Sequence, residues 1–215
     1  NKGDAPATIA QELGTLYQLT IMDMITLSAH DNYVGAATVL VAASNIVIFT
    51  HSHNMYVAES FAERLTSIGK TVSIPMSGEL QRIAAANANE TTVAIAISYS
   101  GRATFLPKIL DILRERHLPV LFIGTTEACR LHPGLSTYLH TNDRENPKER
   151  IAQFSSHFAL QFVLDLLYAC IFSIRYDDNI SRIKKNIPLI DDRTFSDTRQ
   201  DHSLMLLSRI IRDTK

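Results

Sequence analysis

The chain has 215 residues, 46% hydrophobic and 20% charged, which suits one α/β domain with helical extensions and leaves little for long disordered tails. A formal net charge of −1 argues against the chain gripping nucleic acid by itself, because neutralising phosphates takes clustered Lys and Arg. The two cysteines, Cys129 and Cys170, form no CxxC pair and read as free thiols of a reducing cytoplasm.

In chain order, the polar opening Asn1-Lys2-Gly3-Asp4 shows no signal-peptide pattern and does not begin with Met, so a longer protein is expected. Residues 9–28 and 34–43 read as helices ahead of the first strand. Strands are expected at Ile46-Val47-Ile48-Phe49, Thr71-Val72-Ser73-Ile74, Val93-Ala94-Ile95-Ala96-Ile97 and Val120-Leu121-Phe122-Ile123, with a weaker fifth at Thr137-Tyr138-Leu139-His140. These runs are rich in β-branched residues and mostly do not alternate with polar ones, the mark of strands buried on both faces. Helical stretches at 55–68, 78–87 and 105–116 fill the gaps. Strand and helix alternating at this spacing imply right-handed βαβ units and a parallel sheet.

A last long helix, 148–173, is apolar around most of its circumference, with Phe154, Phe158, Phe162, Leu166 and Ile171 among its side chains. Such a helix lies either in the core or against a partner, and a homodimer or higher homo-oligomer is expected. Gln161 and Asp165 interrupt it; an Asp near a bilayer centre costs about 2.5–3.5 kcal/mol, so it reads as a buried helix and no membrane association is expected. From Asp177 the chain turns charged, then amphipathic at 204–211, and reads as a packing arm. The expected organisation is a helical lead-in at 1–34, an α/β domain at 35–175 and a helical arm at 176–215.

In a parallel sheet, ligands bind beyond the carboxyl ends of the strands. Two such turns are rich in hydroxyl and amide groups: Thr50-His51-Ser52-His53-Asn54 and Ser98-Tyr99-Ser100-Gly101-Arg102-Ala103-Thr104. Each joins short side-chain donors to a helix N-terminus, whose free N–H groups and positive dipole end favour an anion. Gly101 allows a tight turn or a close approach. Either these Ser and Thr residues simply cap helices, or the two loops together hold a phosphate. His51-x-His53 could in principle ligate zinc, but the later strand ends supply no further ligands, and no metal or cofactor is expected.

The stretch Ala94-Ile95-Ala96-Ile97-Ser98-Tyr99-Ser100-Gly101-Arg102 resembles the strand followed by Ser-x-Ser-Gly of sugar isomerase (SIS) domains. Its Tyr-Ser-Gly-Arg wording resembles the RpiR family of sugar-phosphate-responsive transcriptional regulators. Val57-Ala58, Leu65 with Gly69, and Asp165-Leu166-Leu167-Tyr168 look like that family's first and closing helices, so the resemblance covers roughly residues 35–175. It implies a three-layer α/β/α sandwich with a central parallel sheet, related to flavodoxin and Rossmann folds. It also implies a phosphosugar held by Ser98, Ser100 and Gly101, with Thr50 and Ser52 from the first loop, Thr104 alongside, and Arg102, Asn54 or His53 assisting. Thr-His-Ser-His-Asn stands where the family carries a glycine-rich first loop, and Ala103 where a Thr is usual.

The implied function is a cytoplasmic sensor domain: ligand binding changes dimer packing, and DNA is touched only by an N-terminal helix-turn-helix absent from this sequence. An aldose–ketose isomerase is the alternative and would need a base. Glu149, at the expected start of the last helix, is the catalytic candidate in that case, although a Glu there can equally serve the helix dipole. Glu79, His53 and His157 are lesser candidates.

Overall fold

The computed structural model describes residues 3–191, so the amphipathic stretch at 204–211 lies outside the described residues. Helices α1 (Pro6–Ser28) and α2 (Tyr33–Ala42) lead into an alternating β/α run. It comprises β1 (Asn45–Phe49), α3 (Asn54–Ser67), β2 (Thr71–Ser73), α4 (Gly78–Asn87), β3 (Thr92–Ile97), α5 (Leu106–Glu115), β4 (Val120–Thr125), α6 (Thr126–Leu131) and β5 (Thr137–Thr141). Helices α7 (Ser155–Ile174) and α8 (Tyr176–Ile190) follow. The five strands form one parallel sheet in the order β2-β1-β3-β4-β5. This is an α/β fold with the chain reversing direction across the sheet between β1 and β3, where an open parallel sheet leaves a crevice.

The near-continuous apolar strands are explained by two cores. Ile46, Ile48, Ile95, Ile97, Leu121 and Ile123 face a core shared with α1, α2, α3 and α7. The intervening Val47, Phe49, Ala94, Ala96, Val120 and Phe122 face a second core with α4, α5 and α6. Successive side chains point to opposite faces of a strand, so both parities must be apolar when both faces are covered. Helix α5 shows the matching helical period: Leu106, Ile109, Leu110 and Leu113 are all fully buried. Each Leu- or Ile-sized side chain buried this way contributes about 1.5–3 kcal/mol.

Two elements differ from expectation. The last long helix begins at Ser155, because residues 147–149 form a turn after Asn146, and Lys148 and Arg150 bond back to Asn146. Pro147 cannot donate a backbone hydrogen bond, which suits it to that turn. Glu149 therefore sits in a turn rather than in a helix's first turn. Helix α6 is six residues long, too short to show a periodic signal, and starts on the capping hydroxyl of Thr125. Helix α8 lies within the segment expected as a helical arm.

Helix α7 buries Ala159, Leu160, Val163, Leu164, Leu167 and Ile171 on one face and packs against α1, α2 and α3. By length and composition alone it is also the one helix among the described residues that could cross a membrane. The chain divides into two compact units, residues 1–183 and 184–215. In the second, the described residues are the last turns of α8, which contain Pro188.

Candidate functional site

The loops after β1 and β3 meet at the crevice between those strands and enclose a pocket of about 280 Å³. His51, Ser52, His53 and Asn54 line it from the first loop, and Ser98, Tyr99, Ser100, Arg102 and Ala103 from the second. Pro147, Arg150 and Gln153 close it from the segment ahead of α7.

Helix capping separates the two explanations for the hydroxyl-rich loops. Asn32, Ser77 and Thr125 accept from the N–H of Gly35, Leu80 and Ala128, and so cap α2, α4 and α6. The helices that border the pocket, α3 and α5, have no side-chain cap. Their Ser and Thr side chains are therefore not spent on capping. At the head of α3, whose Asn54 and preceding His53 line the pocket, the N–H groups of Met55 and Tyr56 donate to the carbonyls of Ser52 and His53. Ser52 stands in the left-handed region at φ 57°, a conformation uncommon for a residue with a side chain.

Not every expected residue lines the pocket. Thr50 is fully buried beneath it: its hydroxyl donates to Ile97 O at 3.3 Å, and its carbonyl accepts from Gln81 Nε2 at 2.6 Å. Thr50 thus ties the end of β1 to the end of β3 and to α4. Gly101 is buried at φ 69°, and a side chain there would meet the backbone of Ala128 at 2.9 Å. Gly124 at the end of β4 serves a similar purpose, since a Cβ would press into the carbonyl oxygen of Ser98. Thr104 is exposed and lies outside the lining, as does Glu149. Glu79 is exposed in the first turn of α4.

Charge in the pocket comes from arginine. Arg102 reaches Glu127 at 2.7 Å in an exposed pair, worth little by itself. Arg150 is better enclosed: its Nη1 donates to Glu145 Oε1 at 3.1 Å and to Ser156 Oγ at 3.2 Å. Glu145 in turn accepts from the N–H of Ser156 at 2.9 Å and so caps α7. His53 is held below the usual histidine range, first by burial and then by the nearby Arg150 and His157. Its ring is therefore neutral at pH 7. Burial pushes the Tyr99 phenol up to about 12, and its oxygen accepts from the N–H of Glu145 at 3.3 Å. His51 stacks edge-on to Phe105 at 4.8 Å. Among the described residues, no group of three or more His, Cys, Asp or Glu is placed to hold a metal ion.

Tyr99, Pro147, Arg150 and Gln153 are pocket residues that sequence pattern did not single out. Tyr99 lay inside the Ser-x-Ser motif as its variable residue. The other three belong to an irregular segment that periodicity cannot place, although a Pro next to a charged run hinted at a loop.

No protein-family model matches the sequence, and no curated protein does. Solved structures do. NanR of Vibrio vulnificus, complexed with ManNAc-6P, superposes with a TM-score of 0.75 at 17% identity, covering 86% of this chain and 71% of that one. The sugar isomerase domain of an RpiR transcription factor from Sphaerobacter thermophilus gives 0.67 at 16%, covering 80% and 95%. A phosphoheptose isomerase from Neisseria gonorrhoeae gives 0.57 at 14%, covering 77% and 96%. The chain has the fold of the SIS domain, a fold these regulators and isomerases share.

Proposed function

We propose that this chain is the phosphosugar-sensing domain of an RpiR-like transcriptional regulator, with DNA contacted by residues outside this sequence. The observation that carries the reading is the contrast in capping. Hydroxyl side chains cap α4 and α6, but at α3 and α5 the hydroxyls line a pocket and leave the helix uncapped. A phosphate would lie at the head of α3 among Ser52, Ser98 and Ser100, with Arg102 and Arg150 balancing its charge. His53, neutral, Asn54 and Gln153 would meet sugar hydroxyls.

Arg150 offers a route for the signal. A phosphate drawing on its guanidinium competes with Glu145 and Ser156, the groups that fasten the start of α7. Helix α7 packs on α1, the helix nearest the chain's N-terminus, and on α2. A ligand-dependent release of the α7 start would thus alter how the N-terminal helices, and a homodimer built on them, are arranged. Such coupling requires the ligand to prefer one arrangement over the other.

The test is thermal stabilisation by a panel of sugar phosphates and their unphosphorylated parents, with product analysis of each hit. At a hundred times its Kd a ligand adds about 2.7 kcal/mol. Ser98→Ala and Ser100→Ala should each weaken binding by about 1.5–3 kcal/mol, since each loses a hydrogen bond to a charged group. Unchanged affinity in both variants would sink the site.

One observation favours an isomerase as a second reading: a histidine kept neutral by burial, as a general base must be, lines the pocket at His53. Turnover of the hit, abolished in His53→Gln with binding retained, would establish it.

A further inference from the structure

A second pocket, of about 360 Å³, lies beside the edge strand β5 and shares no lining residue with the first. Its walls include Cys129 and Arg130 of α6, Pro133 and Gly134 of the segment after it, and Tyr138 and His140 of β5. An edge strand has backbone groups that no neighbouring strand satisfies. Asp31, in the turn between α1 and α2, takes the N–H of His140 at 2.7 Å and also accepts from the ring Nδ1 at 2.6 Å. The Asp31 side chain is 3% exposed and that of His140 26%. Two bonds from one buried carboxylate fix the ring, turning Nδ1 inward and leaving the Nε2 edge to the pocket. The Cys129 thiol is directed to the Gly124 carbonyl at 3.8 Å, and no hydrogen bond takes up Nε2 among the described residues.

We propose that this pocket binds a small organic carboxylate with an apolar body. Its oxygens would be held by His140 Nε2–H and the Arg130 guanidinium, and its body would lie against Pro133 and the Tyr138 ring.

The charge and the polarity of the walls both point to that class. Asp31 above all raises the His140 ring to about 10, so at pH 7 the ring is an imidazolium with a proton on each nitrogen. Arg130 is exposed and enters no ion pair among the described residues, while Glu127 on the same helix is taken by Arg102 at 2.7 Å. No acidic residue lines the pocket. Two cations without an anion suit a negatively charged ligand, and a carboxylate matches the flat guanidinium fork. The Tyr138 hydroxyl is already spent, donating to His132 O at 2.7 Å and accepting from Leu135 N at 2.9 Å, so this residue offers the ligand its ring. The head of α6 is closed by the Thr125 hydroxyl, unlike the uncapped helices at the first pocket. The volume falls in the range of about 300–1,000 Å³ usual for small-molecule sites, where apolar walls carry a few fixed polar groups.

The experiment is a titration of the whole chain with sodium benzoate at pH 7, followed by NMR at the His140 ring and the Gly134 amide. Benzamide, with the same body and no charge, and inorganic phosphate, with charge and no body, are run beside it. Benzoate should shift both signals saturably, and the other two should bind at least tenfold more weakly. His140→Gln should weaken benzoate about tenfold or more, since a hydrogen bond to a charged group is lost. Arg130→Gln, at an exposed position that leaves the fold untouched, should weaken it about two- to fivefold. The absence of a saturable shift with benzoate in the wild-type chain overturns the proposal without any variant. Equal binding of benzamide would make the site a plain apolar groove, and equal binding of phosphate a plain cationic patch; either result overturns it too. So does benzoate affinity that is unchanged in Arg130→Gln and in a His140→Gln protein that still melts cooperatively.

Discussion

Gly101→Ala is the sharpest test of the loop geometry, because the same substitution should have the opposite sign at Gly14. At Gly101 the backbone is left-handed, φ 69°, and an added Cβ would lie 2.9 Å from Ala128 Cα and 3.0 Å from Ala128 O. The left-handed conformation costs a non-glycine residue about 1–2 kcal/mol. Pressing a methyl into backbone that cannot swing aside costs about 1–3 kcal/mol more. The sum, about 2–5 kcal/mol, is a large share of the roughly 5–15 kcal/mol that holds a domain folded. Gly14 lies within α1, where an added Cβ would have nothing within 4 Å and the backbone has no positive φ. Alanine there should stabilise by about 0.5–1 kcal/mol by restricting the unfolded chain. Thermal melts of the two variants beside wild type read both signs. At about 2–4 °C per kcal/mol, Gly101→Ala should melt roughly 4–20 °C lower and Gly14→Ala slightly higher. A Gly101→Ala melt within a degree of wild type would refute the left-handed turn and the α6 contact together.

Three further outcomes are expected. Gln81→Leu leaves the carbonyls of Thr50 and Pro75 without their partner and should cost about 1–3 kcal/mol in a urea melt; an unchanged midpoint would mean that Gln81 does not hold the first loop. The His53 ring should titrate by NMR below 6.5, its ordinary value, and Arg150→Ala should move that midpoint upward; a midpoint at or above 6.5 in the wild type contradicts the buried placement. The His140–Asp31 pair should contribute stability in full below pH 6.5 and lose it as pH rises through about 10, because the folded state holds that proton more tightly than the unfolded one. Asp31→Asn should flatten this decline, and equal slopes in the two proteins would show that the pair does not act.

Much of the fold could be read from local pattern. Val93-Ala94-Ile95-Ala96-Ile97 is apolar at both parities because each face of the sheet meets its own core, and such a run announces itself without neighbours. The spacing of Leu106, Ile109, Leu110 and Leu113 marks α5 equally plainly. Ser98, Ser100 and Gly101 were legible because a strand end, two hydroxyls and a glycine lie within four residues, so the chemistry is local.

What tertiary structure decided is everything whose partner lies far along the chain. Nothing near Thr50 says that its hydroxyl is spent on Ile97, 47 residues away, while its neighbours remain free to line a pocket. Glu149 matched a helix start by composition, yet the turn at Pro147 delays α7 to Ser155 and leaves Arg150 and Gln153, not Glu149, at the pocket. Asp31 and His140 are 109 residues apart, and only the docking of the α1–α2 turn against β5 brings them together. Backbone periodicity is set by each residue and its near neighbours, so sequence carries it. A binding site is set by which surfaces the cores force into contact, and that is a property of the folded chain as a whole.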